Sequence, residues 1–207
     1  MTLEPVTLEG RYVRLEPLGL AHIPGLLAVA KGSRETFELT SVPSDEASAR
    51  RYVDAALADH AAGRALPFAI VARGAGRVVG STRFGNVEFW DWPLGNRHQR
   101  GAHLPDVVEI GWTWLAPDVQ RSGINTEAKL LMLTHAFEVW RVHRVSLNTD
   151  ARNTRSREAI VRIGARLDGV LRGARVASDG AIRDTAAYSI LEAEWPEVKA
   201  GLIFKLR

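Results

Sequence analysis

Gln120-Arg121-Ser122-Gly123-Ile124-Asn125-Thr126, followed some thirty residues later by Asn153-Thr154-Arg155-Ser156-Arg157-Glu158-Ala159-Ile160-Val161-Arg162-Ile163-Gly164, decides the fold. The first stretch joins a strand to a helix through small residues. Such a turn exposes main-chain N–H groups and the positive end of the helix dipole, which suits a pyrophosphate. On its own it reads equally as a helix start capped by Ser122. The second stretch is a short helix with Asn153 as its cap and Gly164 as its stop, and those roles alone would account for both residues.

Outward from this pair, Val107-Val108-Glu109-Ile110-Gly111-Trp112-Thr113-Trp114-Leu115 reads as a strand stopped by Ala116-Pro117-Asp118. Ile124 to Trp140 is a helix, apolar on most sides and therefore buried. Arg144 to Thr149 is a strand and Thr154 to Ile163 a helix. Ala165 to Val176 with Thr185 to Leu191 forms a closing hairpin, and Glu194 to Lys205 a last helix. Upstream, Val6 to Leu15 alternates as a strand does, and Leu20 to Lys31 and Asp45 to Ala62 carry apolar residues at helical spacing. Phe68 to Ala72 and Val78 to Phe84 form a hairpin around a glycine-bearing turn. The order β-α-α-β-β-β-α-β-α-β-β predicts one α+β domain over residues 1–207, with a mixed sheet and no linker or repeat.

Composition narrows the chemistry. With no cysteine in 207 residues, disulfides, thiolate metal sites and an acyl-cysteine intermediate are excluded. The six histidines show no ligand spacing, so no metal is expected. No apolar run approaches the roughly 20 residues that cross a bilayer. Met1-Thr2-Leu3-Glu4-Pro5 lacks a basic region leading into an apolar one, so the expected location is the cytoplasm, without membrane contact. The formal charge is +3, and arginines crowd at Arg152, Arg155, Arg157, Arg162, Arg166, Arg172 and Arg175. That cluster reads either as a solvated face or as a phosphate contact. An RNA-binding module built on it has no supporting motif, and no direct nucleic-acid binding is expected.

Taken together, the 120–126 turn and the Asn-x-x-Ser helix resemble the two acetyl-CoA-binding signatures of the GNAT superfamily, in the right order and spacing. Thr7-Leu8-Glu9-Gly10-Arg11-Tyr12-Val13-Arg14-Leu15-Glu16-Pro17-Leu18 is similar to the opening of its ribosomal-protein N-terminal acetyltransferase branch. One departure stands out: Asn125 occupies a position where the family has glycine or alanine, which implies altered contacts to the pyrophosphate.

The resemblance implies a GNAT fold, with a six- to seven-stranded, mostly antiparallel sheet splayed between its fourth and fifth strands. It implies acetyl-CoA as co-substrate and direct attack by an amine within a ternary complex. Its coenzyme contacts fall on Trp114, Leu115, Gln120, Arg121, Ser122, Gly123, Ile124, Asn125, Thr126, Asn148, Asn153 and Ser156. An amide near Trp114 or Leu115 would polarise the carbonyl. Glu109 leads as the base, against a reading as an arginine's partner and with His98 and His103 behind it; Ser156 and Tyr188 compete as the acid.

The loop from Glu88 to Asp106 is long, aperiodic and rich in aromatic groups, a composition common in functional loops. Trp90, Trp92, Arg97 and His98 are its candidate acceptor contacts, and the rings could equally seal the core. The expected acceptor is a protein or peptide N-terminal amine. A small amine, amino acid or antibiotic, or a non-catalytic acyl-CoA-binding module, is the alternative. Relatives of this kind are monomers or dimers, so a homodimer is allowed.

Overall fold

The computed structural model describes residues 3–31, 34–101 and 103–207. The start of the leader reading and position 102 of the aromatic loop lie outside them. Eight strands form a single sheet in the order β1-β2-β3-β4-β5-β6-β8-β7: β1 Leu8–Glu9, β2 Val13–Pro17, β3 Leu66–Ala72, β4 Arg77–Glu88, β5 Val107–Leu115, β6 Arg144–Asp150, β7 Arg166–Val176 and β8 Ile182–Leu191. Every neighbouring pair is antiparallel except β5 and β6. The helices are α1 Ile23–Ala30, α2 Glu46–Ala61, α3 Gly123–Thr134, α4 Thr154–Arg162 and α5 Trp195–Lys205. The α+β expectation and the splayed mixed sheet hold, but the sheet has eight strands where six or seven were expected.

The extra strand comes from a break in the opening segment. Residues 6–15 read as one strand, yet the chain turns at Gly10, where the Gly10 amide donates to the Val13 carbonyl at 2.9 Å. The amides of Arg11, Tyr12 and Val13 then donate to the carboxylate of Glu127, at 2.8, 2.6 and 2.8 Å. Glu127 projects from α3 and is buried. A side chain at Gly10 would run into that carboxylate.

The long third helix also departs from expectation. It is α-helical only to Thr134; His135–Trp140 forms a π-helical turn that ends on Arg141 in the left-handed region, φ 58°. Trp140, at the end of this turn, packs at a tilt against Phe84, 4.7 Å between ring centroids.

Apolar side chains pack on both faces of the sheet. Val13, Leu15, Phe84, Val108, Ile110, Val145, Leu147 and Tyr188 pack with α3, α4 and α5 on one face. Ala69 and Trp114 pack with α1 and α2 on the other. Because side chains alternate along a strand, Glu109 and Asn148 lie on the α1/α2 face while Tyr188 lies on the helix α3/α4 face.

Candidate active site

The central feature is a gap between β5 and β6. These parallel strands pair only over Val107–Glu109 with Arg144–Ser146. Beyond Glu109, β5 carries a bulge, seen as the register shift from Arg83–Gly111 to Ser81–Trp114, with Trp112 at φ 51°. A bulge inserts a residue, twists the strand and ends its pairing, so β5 turns away from β6 and the sheet opens toward the C-terminal ends of both strands.

The Ala116 amide donates to Val79 of β4 at 2.7 Å. Amide direction alternates along a strand, so the neighbouring Leu115 amide faces the gap. The Leu115 carbonyl accepts from Gln120 Nε2 at 2.9 Å, which ties the strand's end to the turn above it.

At the mouth of the gap stands the N-terminus of α3. Ser122 is its cap: Oγ accepts from the Ile124 amide at 3.3 Å and donates to the Val119 carbonyl at 2.6 Å. Arg121, at φ 60°, is exposed beside it. Helix α4 starts on the opposite lip, where Asn153 Oδ1 accepts from the Ser156 amide at 3.0 Å. The Ser156 hydroxyl makes no hydrogen bond among the described residues. Two arginines of α4 reach across, Arg155 to Gln120 Oε1 at 3.5 Å and Arg162 to Thr126 Oγ1 at 3.3 Å. Asn125 Oδ1 is buried without a partner among the described residues, a physical mark of the departure noted in the sequence.

On the floor of the gap lies Glu109, 5% exposed. Its Oε2 accepts from Asn86 Nδ2 at 2.6 Å and from Asn148 Nδ2 at 2.8 Å, while Oε1 has no hydrogen-bond partner among the described residues. The arginine-partner reading of Glu109 is therefore not what the structure holds. Asn86 is in the left-handed region at φ 44° and sits at a second bulge, in β4.

The remaining candidates lie elsewhere. Tyr188 accepts from Arg157 Nε at 3.0 Å, beneath α4, and borders a cavity of about 430 Å³. The aromatic loop packs on the N-terminal ends of β5 and β6. There Trp92 Nε1 donates to Asp106 at 2.7 Å, Trp90 Nε1 donates to Glu88 at 3.2 Å, and Trp90 stacks on His143. Both indole N–H groups are thus engaged within the loop, while the Trp90 ring stays exposed and neither ring joins the core. His98 offers its carbonyl to His143 and its ring to Arg97.

Several residues were not singled out from the sequence: Asn86, Trp112, Arg83 and Lys129. Gly85-Asn86 was the available sign, since asparagine tolerates the left-handed region that a bulge requires. Lys129 is buried on α3, donating to Thr113 at 2.6 Å and Thr82 at 3.2 Å, and burial lowers its pKa to about 7. Among the described residues no cluster of three or more potential metal ligands occurs, and no helix is long and apolar enough to cross a membrane.

Residues 13–166 match the family model described as an acetyltransferase (GNAT) domain. The chain is 34% identical over 88 residues to the Bacillus subtilis (strain 168) protein YdaF, which carries a ribosomal N-acetyltransferase name; that match spans 42% of this chain and 47%, about half, of the relative. Its structure is similar to a GCN5-related N-acetyltransferase from Brucella melitensis, at a TM-score of 0.84 and 28% identity, over 100% of this chain and 88% of that one. It is also similar to Mycobacterium smegmatis RimJ in complex with CoA-disulfide, at a TM-score of 0.78 and 25% identity, over 98% of this chain and 96% of that one.

Proposed function

The chain belongs to the GNAT acetyltransferase family, whose co-substrate is acetyl-CoA, and from that premise we propose that it acetylates the N-terminal α-amine of a protein or peptide by direct attack in a ternary complex. One observation carries the reading. A single gap joins an exposed helix N-terminus at its mouth to a carboxylate with one uncommitted oxygen at its floor.

The mouth fits a pyrophosphate. Gly123 has no side chain, Arg121 is exposed, and the α3 terminus presents main-chain donors with the helix dipole behind them. Arg155 adds charge from the opposite lip. Acetyl-CoA, when bound, supplies the thioester whose carbonyl carbon the amine attacks.

Each residue then has a defined task. The Leu115 amide, free on the splayed edge, donates to the developing oxyanion. Glu109 Oε1 takes the proton of the incoming ammonium, through a water, while Asn86 and Asn148 fix the carboxylate by its other oxygen. As the C–N bond forms and the C–S bond breaks, the leaving sulfur needs a proton. Ser156 on the α4 lip is the preferred donor, because its hydroxyl is uncommitted among the described residues whereas the Tyr188 oxygen is already engaged by Arg157. Bringing two bound reactants together supplies much of the acceleration. The name of YdaF, a ribosomal N-acetyltransferase, favours a ribosomal protein over a free amine as the acceptor class.

The test is calorimetric titration of acetyl-CoA into the wild type and Gly123→Trp, followed by transfer assays on peptides with free and blocked N-termini. Binding lost in the variant, with transfer to free N-termini only, is the expected result. Transfer to a lysine side chain in N-terminally blocked peptides would overturn the α-amine assignment.

A further inference from the structure

A second polar site lies beside Glu109, on the same face of the sheet. Arg83 of β4 is 4% exposed, yet none of its five N–H donors makes a hydrogen bond among the described residues. Its Nε is buried and unpartnered among the described residues, and its one ion pair, Nη1 to Asp59 Oδ2, is long at 3.6 Å and made to a carboxylate that Arg64 already engages. The guanidinium is held between two rings, 5.0 Å from the centroid of Trp112 and 5.4 Å from that of Tyr52. A buried cation with one long, shared ion pair and no hydrogen bonds is under-satisfied, and a second anion within reach of its free donors would complete it. Its donors border a cavity of about 140 Å³ lined by Asp59, Arg64, Gly85, Asn86 and Trp112.

We infer that this cavity binds a carboxylate of the acceptor, so that the preferred acceptor is a peptide with an acidic side chain within its first two residues. The inference rests on the N-terminal acetyltransferase reading. Three features single out this ligand. At about 30 Å³ per water the cavity has room for roughly five waters, enough for a carboxymethyl or carboxyethyl group. Arg83 and Arg64 against Asp59 leave one positive charge, which matches a monoanion better than a phosphate dianion. A guanidinium lying over two aromatic rings has restricted freedom, and its planar fork suits bidentate carboxylate recognition.

Position relates this cavity to the reacting amine. Asn86 lines the cavity and also donates to Glu109. Arg83 and Gly85 are two residues apart on β4, about 7 Å, and Gly85 is the register partner of Glu109. That separation suits an α-amine at Glu109 and a side-chain carboxylate from the first or second residue at Arg83. The left-handed conformation of Trp112, which the β5 bulge imposes, brings its ring over Gly85 and against the guanidinium. The same distortion that opens the gap therefore also builds one wall of this site.

The experiment compares kcat/KM for Ser-Asp- and Ser-Glu-initiated peptides with their Ser-Asn and Ser-Gln counterparts, in wild type, Arg83→Gln, Arg83→Lys and Asp59→Asn. The wild type should prefer the acidic peptides at least tenfold, chiefly through KM. Arg83→Gln should abolish that preference without changing acetyl-CoA affinity, Arg83→Lys should restore part of it, and Asp59→Asn, which removes the internal competitor, should enlarge it. Equal use of acidic and amide peptides by the wild type, or a preference intact in Arg83→Gln, overturns the proposal. If Arg83→Gln does not fold, the direction of the Asp59→Asn change decides. If acetyl-CoA binds but no peptide is acetylated, the N-terminal reading fails separately, and ligand-observed NMR with glutamate and succinate tests the cavity. Binding to the wild type and not to Arg83→Gln then keeps the carboxylate site for a free acid; no binding overturns it.

Discussion

The turn between β1 and β2 and the floor of the β5/β6 gap are each organised by a buried glutamate, and the two carboxylates are held in opposite ways. Glu127 uses both oxygens on three main-chain amides, Oε1 on Arg11 and Oε2 on Tyr12 and Val13. Glu109 uses one oxygen on two side-chain amides and leaves the other uncommitted. A fully engaged carboxylate fastens chain to chain and has nothing left for a ligand. A carboxylate fixed by one oxygen keeps its orientation and can still exchange a proton. Burial alone therefore does not distinguish a structural acid from a reactive one; the bonding of each oxygen does.

The largest effect should come from removing only the reactivity. In Glu109→Gln a single carbonyl oxygen can still accept from Asn86 and Asn148, so the site keeps its shape while losing its base. Turnover should fall at least about 100-fold, as expected for general-base loss, with the melting temperature and acetyl-CoA affinity unchanged. Turnover within a few-fold of wild type would remove Glu109 from the mechanism.

Glu127→Gln inverts the outcome. Its amide nitrogen must oppose at least one main-chain N–H and its charge is gone, so stability should drop by about 3 kcal/mol. For a chain of this size that is a melting temperature lower by roughly 10 °C, measurable by calorimetry. If folded Glu127→Gln turns over as the wild type does below its transition, the division of labour between the two acids holds.

A buried cation sharpens the contrast. Lys129 has two hydroxyl acceptors and no carboxylate, and its pKa of about 7 is depressed from 10.5 by burial. Between those values the unfolded chain binds a proton that the folded chain does not, so stability rises with pH across that window. The slope from this group is about 1.4 kcal/mol per pH unit at most. Below pH 7 both states are protonated and the cost of the buried charge is fully present. Lys129→Met should therefore stabilise the protein most at neutral pH and flatten the rise toward pH 9 in denaturant titrations. A slope unchanged by the substitution would show that Lys129 does not cause it.

The fold was legible where local signals agreed. Asp45 caps α2 by accepting from Ser48 at 2.7 Å, and Asn153 and Ser122 cap the two helices at the gap. The helix starts on which the coenzyme expectation rests were legible because a cap and its helix are written in adjacent positions. What escaped depends on register. The bulges at Trp112 and Asn86 carry only faint local marks, and the pairing of Glu109 with Asn148 joins residues 39 apart in the chain. The break at Gly10 was hidden because its cause, Glu127, lies more than a hundred residues away. Arg83 sits in β4 with nothing beside it in sequence to reveal the rings that hold it.

The three register pairs between β5 and β6 also have a mechanical meaning. They join a five-stranded antiparallel plate, β1 to β5, to a three-stranded one, β6 to β8, along a seam closed at one end only. The aromatic loop covers the closed end of this seam, and the free lips lie at the far end. A molecule seated between the lips would replace the missing rungs of the ladder and stiffen the two plates into one body.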